Sequence, residues 1–147
     1  MKRIVRGISI TLVGLLFLST TVFAAEFSSP RASLFISGSD AKIEANSNGN
    51  LTISFWISGT DIMSKVGATS IDLYEDNGYS TRLVKTYRSS APEYSHLMGA
   101  NKVVHMSDVD YSGTVGYKYY AKVHLTAENS SGSDSIVEVS PSVTAIR

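Results

Sequence analysis

The sequence predicts an all-β protein of antiparallel strands, a sandwich or a closed barrel, and three observations carry that prediction. Residues 51–58 and 117–128 alternate strictly between side chains of opposite character, and a period of two marks a strand with one buried face. Extended runs arrive about every ten residues, with turn-forming residues between them. No helix of ordinary length and no internal repeat is visible beyond the first 24 residues.

The chain opens with Lys2, Arg3 and Arg6, an apolar stretch from Ile8 to Leu18 and the ending Val22-Phe23-Ala24. A basic start, a short apolar run and this ending predict a secretory signal peptide over 1–24, cleaved after Ala24. The apolar run is shorter than the roughly 20 residues that span a bilayer. The expected mature chain is therefore secreted and without a membrane span, with 25–31 a flexible N-terminal arm and 32–147 the β-sandwich domain. Of the 147 residues 123 remain after cleavage, the size of one domain. The leader takes three basic residues and no acid, so 13 basic against 13 acidic residues becomes 10 against 13, a net charge of −3 with His neutral. That balance excludes the basic stripe a nucleic-acid partner requires. No cysteine is present, so an exported chain must depend on packing and not on disulfides.

In chain order, 32–36 predicts a first strand with Leu34 and Ile36 on one face and Phe35 on the other, and 40–45 a second short one around Ile43. Asn46 to Asn50 is a turn by composition. Leu51, Ile53, Phe55 and Ile57 then claim the inward face of a strong strand, leaving Thr52, Ser54, Trp56 and Ser58 outward, with Gly59 closing it. Ile71 and Leu73 mark the next strand and Asp76-Asn77-Gly78 a turn, after which 83–87 returns. Residues 89–100 are irregular, and 102–106 with 109–111 offer one or two short strands. The run from Tyr117 places Tyr119, Ala121, Val123 and Leu125 on one face, contains no Pro, and suits a sheet interior. Asn129 to Gly132 turns it back through Ile136, Val137 and Val139 as a hairpin.

These segments carry a resemblance. Residues 51–59, LTISFWISG, resemble the second strand of immunoglobulin-type sandwiches with Phe55 at the first cysteine position, and Tyr119-Tyr120-Ala121 resembles the Tyr-x-Cys segment of the sixth strand with Ala121 at the second. The resemblance implies an immunoglobulin-like antiparallel β-sandwich of about seven to nine strands, in which a large Phe55 facing a small Ala121 fills the space of an absent disulfide. The pattern departs where the family's acid six residues earlier is Val115, and where Trp56 follows the first position instead of sitting on the third strand. Ala127 to Gly132 is similar to the last hairpin of fibronectin type III domains, an alignment that puts Ala121 at that family's tyrosine. Pro30 to Ser33, Ile71-x-Leu73-Tyr74-Glu75 and Asn129 to Ser135 together resemble a family of short secreted proteins from clostridia-type Gram-positive bacteria, a resemblance that brings no activity with it.

Motifs of nucleophilic, zinc, phosphate-loop and calcium-loop chemistry are absent, so the reading is non-enzymatic, with no cofactor and no metal. His96, His105 and His124 are widely spaced and read as surface or satisfied side chains. Asp108 and Asp110, with Asp61 or Asp76, read as solvated turn acids sooner than as a hard-cation site. Trp56 and Tyr120 are the candidate binding residues, because a large aromatic on a polar face is the informative exception. The expected function is an extracellular binding or adhesion module for a glycan or protein. The alternative is a self-associating structural or antagonistic protein that pairs through a sheet edge, with the N-terminal arm contributing.

Overall fold

A computed structural model describes residues 33–147, which fold into two facing antiparallel sheets. The predicted signal peptide and arm lie outside the described residues. In chain order the strands are β1 Ile36–Ala45, β2 Asn50–Met63, β3 Lys65–Asp76, β4 Thr81–Arg88, β5 Met98–Gly99, β6 Lys102–Ser112, β7 Lys118–Asn129, β8 Gly132–Val139 and β9 Val143–Thr144. One sheet runs β1-β2-β6; the other runs β4-β3-β7-β8, with β5 added to β3 and β9 to β7. The class is an all-β sandwich.

The core lies where the period of two sends apolar side chains from both sheets. Leu51, Ile53, Phe55 and Ile57 of β2 face Ile71 and Leu73 of β3 and Tyr119, Ala121, Val123 and Leu125 of β7, all buried. Phe55 and Ala121 project into this core from opposite sheets, as the two-strand reading requires. The predicted sheet-interior strand is β7, paired on both sides.

The start of the sandwich differs from expectation. Of the strand predicted over 32–36, the described residues 33–35 form no strand: Leu34 is exposed, Phe35 packs partly against the core, and the first strand begins only at Ile36. The physical reason is local capture of the backbone. Ser33 Oγ donates to Asp134 Oδ2 at 2.6 Å and accepts the Ile36 N–H, while Asp134 Oδ2 also accepts the Phe35 N–H. Side-chain acceptors thus take N–H groups a ladder would use. Residues 33–35 are therefore tied to this chain's own β8 and form no free strand.

Three other elements outrun the expectation. The second strand passes through Gly59 to buried Met63, and the third starts at Lys65, with Val66 and Ala68 fully buried. The stretches 102–106 and 109–111 join into the single strand β6. The three predicted turns close hairpins: Asn46 N–H donates to Asn50 O at 2.7 Å at the β1–β2 turn, Asn129 pairs with Gly132 at the β7–β8 turn, and the Asn77 side chain accepts from the backbone of Tyr79 and Ser80 at the β3–β4 turn.

Candidate functional site

The candidate residue Trp56 lies on the outer face of the β1-β2-β6 sheet. Because Phe55 and Ile57 point inward, Trp56 must point outward, opposite Asp40 of β1 and Met106 of β6. It remains 40% exposed, and Met106 is 71% exposed. The indole reclines across β1: a Cβ built on Gly38 would lie 2.9 Å from Trp56 Cη2 and 3.2 Å from Cζ3. Only glycine leaves room for that pose. A register shift between Ile36 and Gly38 sets this stretch of β1 under the ring.

Around the indole the sheet presents a depression of about 470 Å³, lined among others by Asp40, Lys42, Ser54, Met106 and Asp108. Lys42 Nζ donates to Glu44 Oε1 at 2.8 Å, and that hydrogen bond and charge raise its pKa. The groove thus combines one aromatic plane and one flexible thioether with carboxylates on both flanks, a hydroxyl and an ammonium. Such a surface accepts hydrogen bonds from hydroxyl groups and offers an apolar face to stack on.

Tyr120 sits elsewhere. It lies on the outer face of the other sheet, opposite Tyr74, and the two rings stack with centroids 5.0 Å apart and planes 6° from parallel. Lys122 Nζ lies 5.1 Å from the Tyr74 ring centroid. Tyr120 is half-buried by its own neighbours, so the structure does not bring the two candidate residues into one site. The remaining tyrosines divide similarly. Tyr87 is buried with Tyr94 edge-on against it at 5.1 Å, Tyr111 packs toward Tyr119, and Tyr79 is 98% exposed at a turn tip. The irregular 89–100 segment packs through Tyr94 and His96 against Tyr87 and β6, and it contributes no side chain to the groove beside Trp56.

The imidazoles all have partners. His105 is buried and its Nε2 lies 2.9 Å from His96 O; burial lowers its pKa. His96 Nε2 meets Asp108 O at 3.2 Å, and His124 Nε2 meets Asp72 Oδ2 at 3.3 Å. Asp61 and Asp76 accept from the backbone of Ile62 and Gly78, and Asp110 accepts from Thr52 Oγ1. Among the described residues no group of three or more His, Cys, Asp or Glu is arranged to hold a metal ion.

One constellation was missed by sequence reasoning. Glu75 continues the inward parity of Ile71 and Leu73 and is 3% exposed. Its Oε2 accepts from Tyr119 Oη at 2.6 Å, and its Oε1 accepts from Arg82 Nε and Nη2 at 3.0 and 2.8 Å. Tyr119 Oη in turn accepts the Thr114 N–H at 2.8 Å. The Tyr119 hydroxyl foremost, with burial opposing and Arg82 assisting, holds Glu75 below the usual carboxylate range. Burial first, then the hydrogen bond to Glu75, pushes the Tyr119 phenol up. The parity of Ile71 and Leu73 was the signal that pointed to Glu75.

Compared with models of protein families and with curated proteins, the chain matches none.

Proposed function

We propose that this chain is an exported, non-enzymatic β-sandwich that binds an extracellular glycan through the outer face of the β1-β2-β6 sheet. The observation that carries the reading is the Trp56 indole reclining over Gly38 while 40% exposed, beside Asp40, Ser54 and Asp108. An aromatic ring offers the apolar C–H face of a sugar a stacking surface, and the surrounding carboxylates and hydroxyl take its OH groups. The reading is of binding: Asp40 and Asp108 flank the ring as hydrogen-bond acceptors for sugar hydroxyls. Tyr120 belongs to the Tyr74 stack in this account.

We also read the sandwich as immunoglobulin-like. Tyr119 stands two residues before Ala121 and takes the Thr114 N–H five residues upstream, the bonding of a tyrosine corner. That supports the alignment with Ala121 at the second cysteine position over the one that places Ala121 at the tyrosine. Unlike a constant-type immunoglobulin domain, β4 stays beside β3 and does not cross to the β1-β2 sheet.

Two experiments test the proposal. Intact mass of protein recovered from the medium should begin at Ala25, and a mass that includes the leader contradicts export with cleavage. Affinity electrophoresis through a panel of soluble cell-surface polysaccharides should retard the wild type on at least one gel and Trp56→Ala on none. Equal mobility of the two proteins on every gel contradicts the site.

A further inference from the structure

The outer face that bears Trp56 is also where the charge of the described chain collects. Where β1, β2 and β6 lie in register, the outward charged side chains are Asp40, Lys42 and Glu44 of β1 and Asp108 and Asp110 of β6, four carboxylates against one ammonium. Residues 33–147 hold nine Lys and Arg against twelve Asp and Glu, a net charge of −3 with His neutral. One against four on this face accounts for all of it, because the eight of each sign that remain elsewhere cancel.

Three of these five groups are engaged within the fold. Lys42 Nζ donates to Glu44 Oε1 at 2.8 Å, and Asp110 Oδ1 accepts from Thr52 Oγ1 at 2.8 Å. The carboxylates of Asp40 and Asp108 make no hydrogen bond or ion pair with any described residue, and both line the depression around the indole. Asp40 stands opposite Trp56 on β1 and Asp108 opposite Ser54 on β6, so the two acids lie on either side of the strand that carries the ring.

These two acids determine which sugar suits the groove. A neutral sugar seated on the indole would shut water away from two ionised carboxylates and return only hydroxyl hydrogen bonds, and a sugar acid would bring a further negative charge against them. A protonated amine instead forms charge-assisted hydrogen bonds with a carboxylate, and it is attracted to the face of an aromatic ring, most strongly to an indole.

We propose that the ligand of this groove is a polysaccharide carrying free, protonated amino groups, and that Asp40 and Asp108 select the amine. The inference rests on the glycan-binding reading and names the class of sugar. Trp56 supplies a stacking surface that any sugar can use, whereas Asp40 and Asp108 distinguish one sugar from another. Lys42, the one cation among these residues, works against the selection.

Calorimetric titration of the full chain with oligomers of glucosamine, and with the same oligomers fully N-acetylated, tests this, because acetylation removes the charge and keeps the sugar backbone. At about pH 6 the carboxylates are ionised and the sugar amines protonated. The wild type should bind the free-amine oligomer about tenfold more tightly, with up to about fivefold from each exposed ion pair, and added salt should shrink the preference. Asp40→Asn and Asp108→Asn should each lower the ratio of the two affinities, and the double variant should bring it close to equality with its thermal stability unchanged, since neither carboxylate has a partner in the fold. Lys42→Met should raise the ratio, and Trp56→Ala should weaken both oligomers alike. Equal affinity of the wild type for the two oligomers, with both lost in Trp56→Ala, overturns the inference and leaves the glycan site standing. A preference for the amine that survives the double variant, or binding of neither oligomer, also overturns it, while the site itself stands or falls on the polysaccharide gels.

Discussion

Glu75 and Trp56 are mirror-image exceptions to one rule, and their different surroundings divide the molecule into what the fold satisfies and what it leaves open. On β3 the inward parity carries a carboxylate, and on β2 the outward parity carries an indole. Glu75 is met by a phenol and a guanidinium from β7 and β4, and no buried side-chain polar atom among the described residues lacks a partner. Trp56 is supported from below by Gly38 and flanked by Met106, and it keeps 40% of its surface exposed. A polar group inside costs stability unless it is bonded. An aromatic group outside costs little, but it gains nothing until something covers it.

The largest expected effect belongs to the interior on which this contrast rests. Phe55→Ala should lower unfolding free energy by about 3–5 kcal/mol in a denaturant titration, the range for truncating a buried aromatic, and a near-neutral result would show that β2 does not face the core as described. Tyr119→Phe should cost about 1–3 kcal/mol, because it leaves Glu75 Oε2 and the Thr114 N–H without their buried partner. A loss below that range would mean that solvent reaches the pair and that the interior is no better satisfied than the surface.

The pH dependence sharpens the same point. Glu75 is held below its ordinary value of 4.5. A carboxyl whose folded pKa lies below its unfolded one contributes stability that is complete above the unfolded value and is lost as pH falls through the folded value. The stability difference between wild type and Glu75→Gln should therefore be constant near neutrality and shrink as pH falls below 4.5. A difference that is flat through the acid range would contradict the assignment of Glu75 as the ionised partner of Arg82.

On the outer face the effects should be small in stability and visible in spectroscopy. Gly38→Ala places a Cβ within 2.9 Å of the indole, and the ring can lift into solvent in response. The expected cost is within about 1 kcal/mol, with a red shift in the emission of the single tryptophan. Unchanged emission would mean that the ring does not rest on Gly38.

How much of this was legible follows from which interactions are local. The inward faces of β2 and β7 were plain because strict alternation needs only neighbouring residues. The start of β3 was not, since Val66, Gly67 and Ala68 are buried in succession and break the period. Gly67, at φ 153°, is pressed there against the 97–98 backbone, where a Cβ would meet Leu97 O at 2.3 Å. Residues 32–36 read as a strand because the acceptor that caps their backbone is Asp134, about a hundred residues away. Trp56 was found by parity alone. Its groove was not, because Asp40, Met106 and Asp108 reach it only through the pairing of three strands.

Whether the indole forms the binding surface is decided by titrating the intrinsic fluorescence of Trp56 with a retained polysaccharide, alongside binding and melting curves of Trp56→Ala. Trp56 is the only tryptophan, so its emission reports the proposed surface and nothing else. A saturable change in emission on binding and loss of binding in Trp56→Ala are expected, with that variant still folded and its unfolding free energy lowered by about 1–2 kcal/mol for the part of the ring that packs on β1. Binding retained at full strength by Trp56→Ala, or a large loss of stability with binding intact, would contradict it.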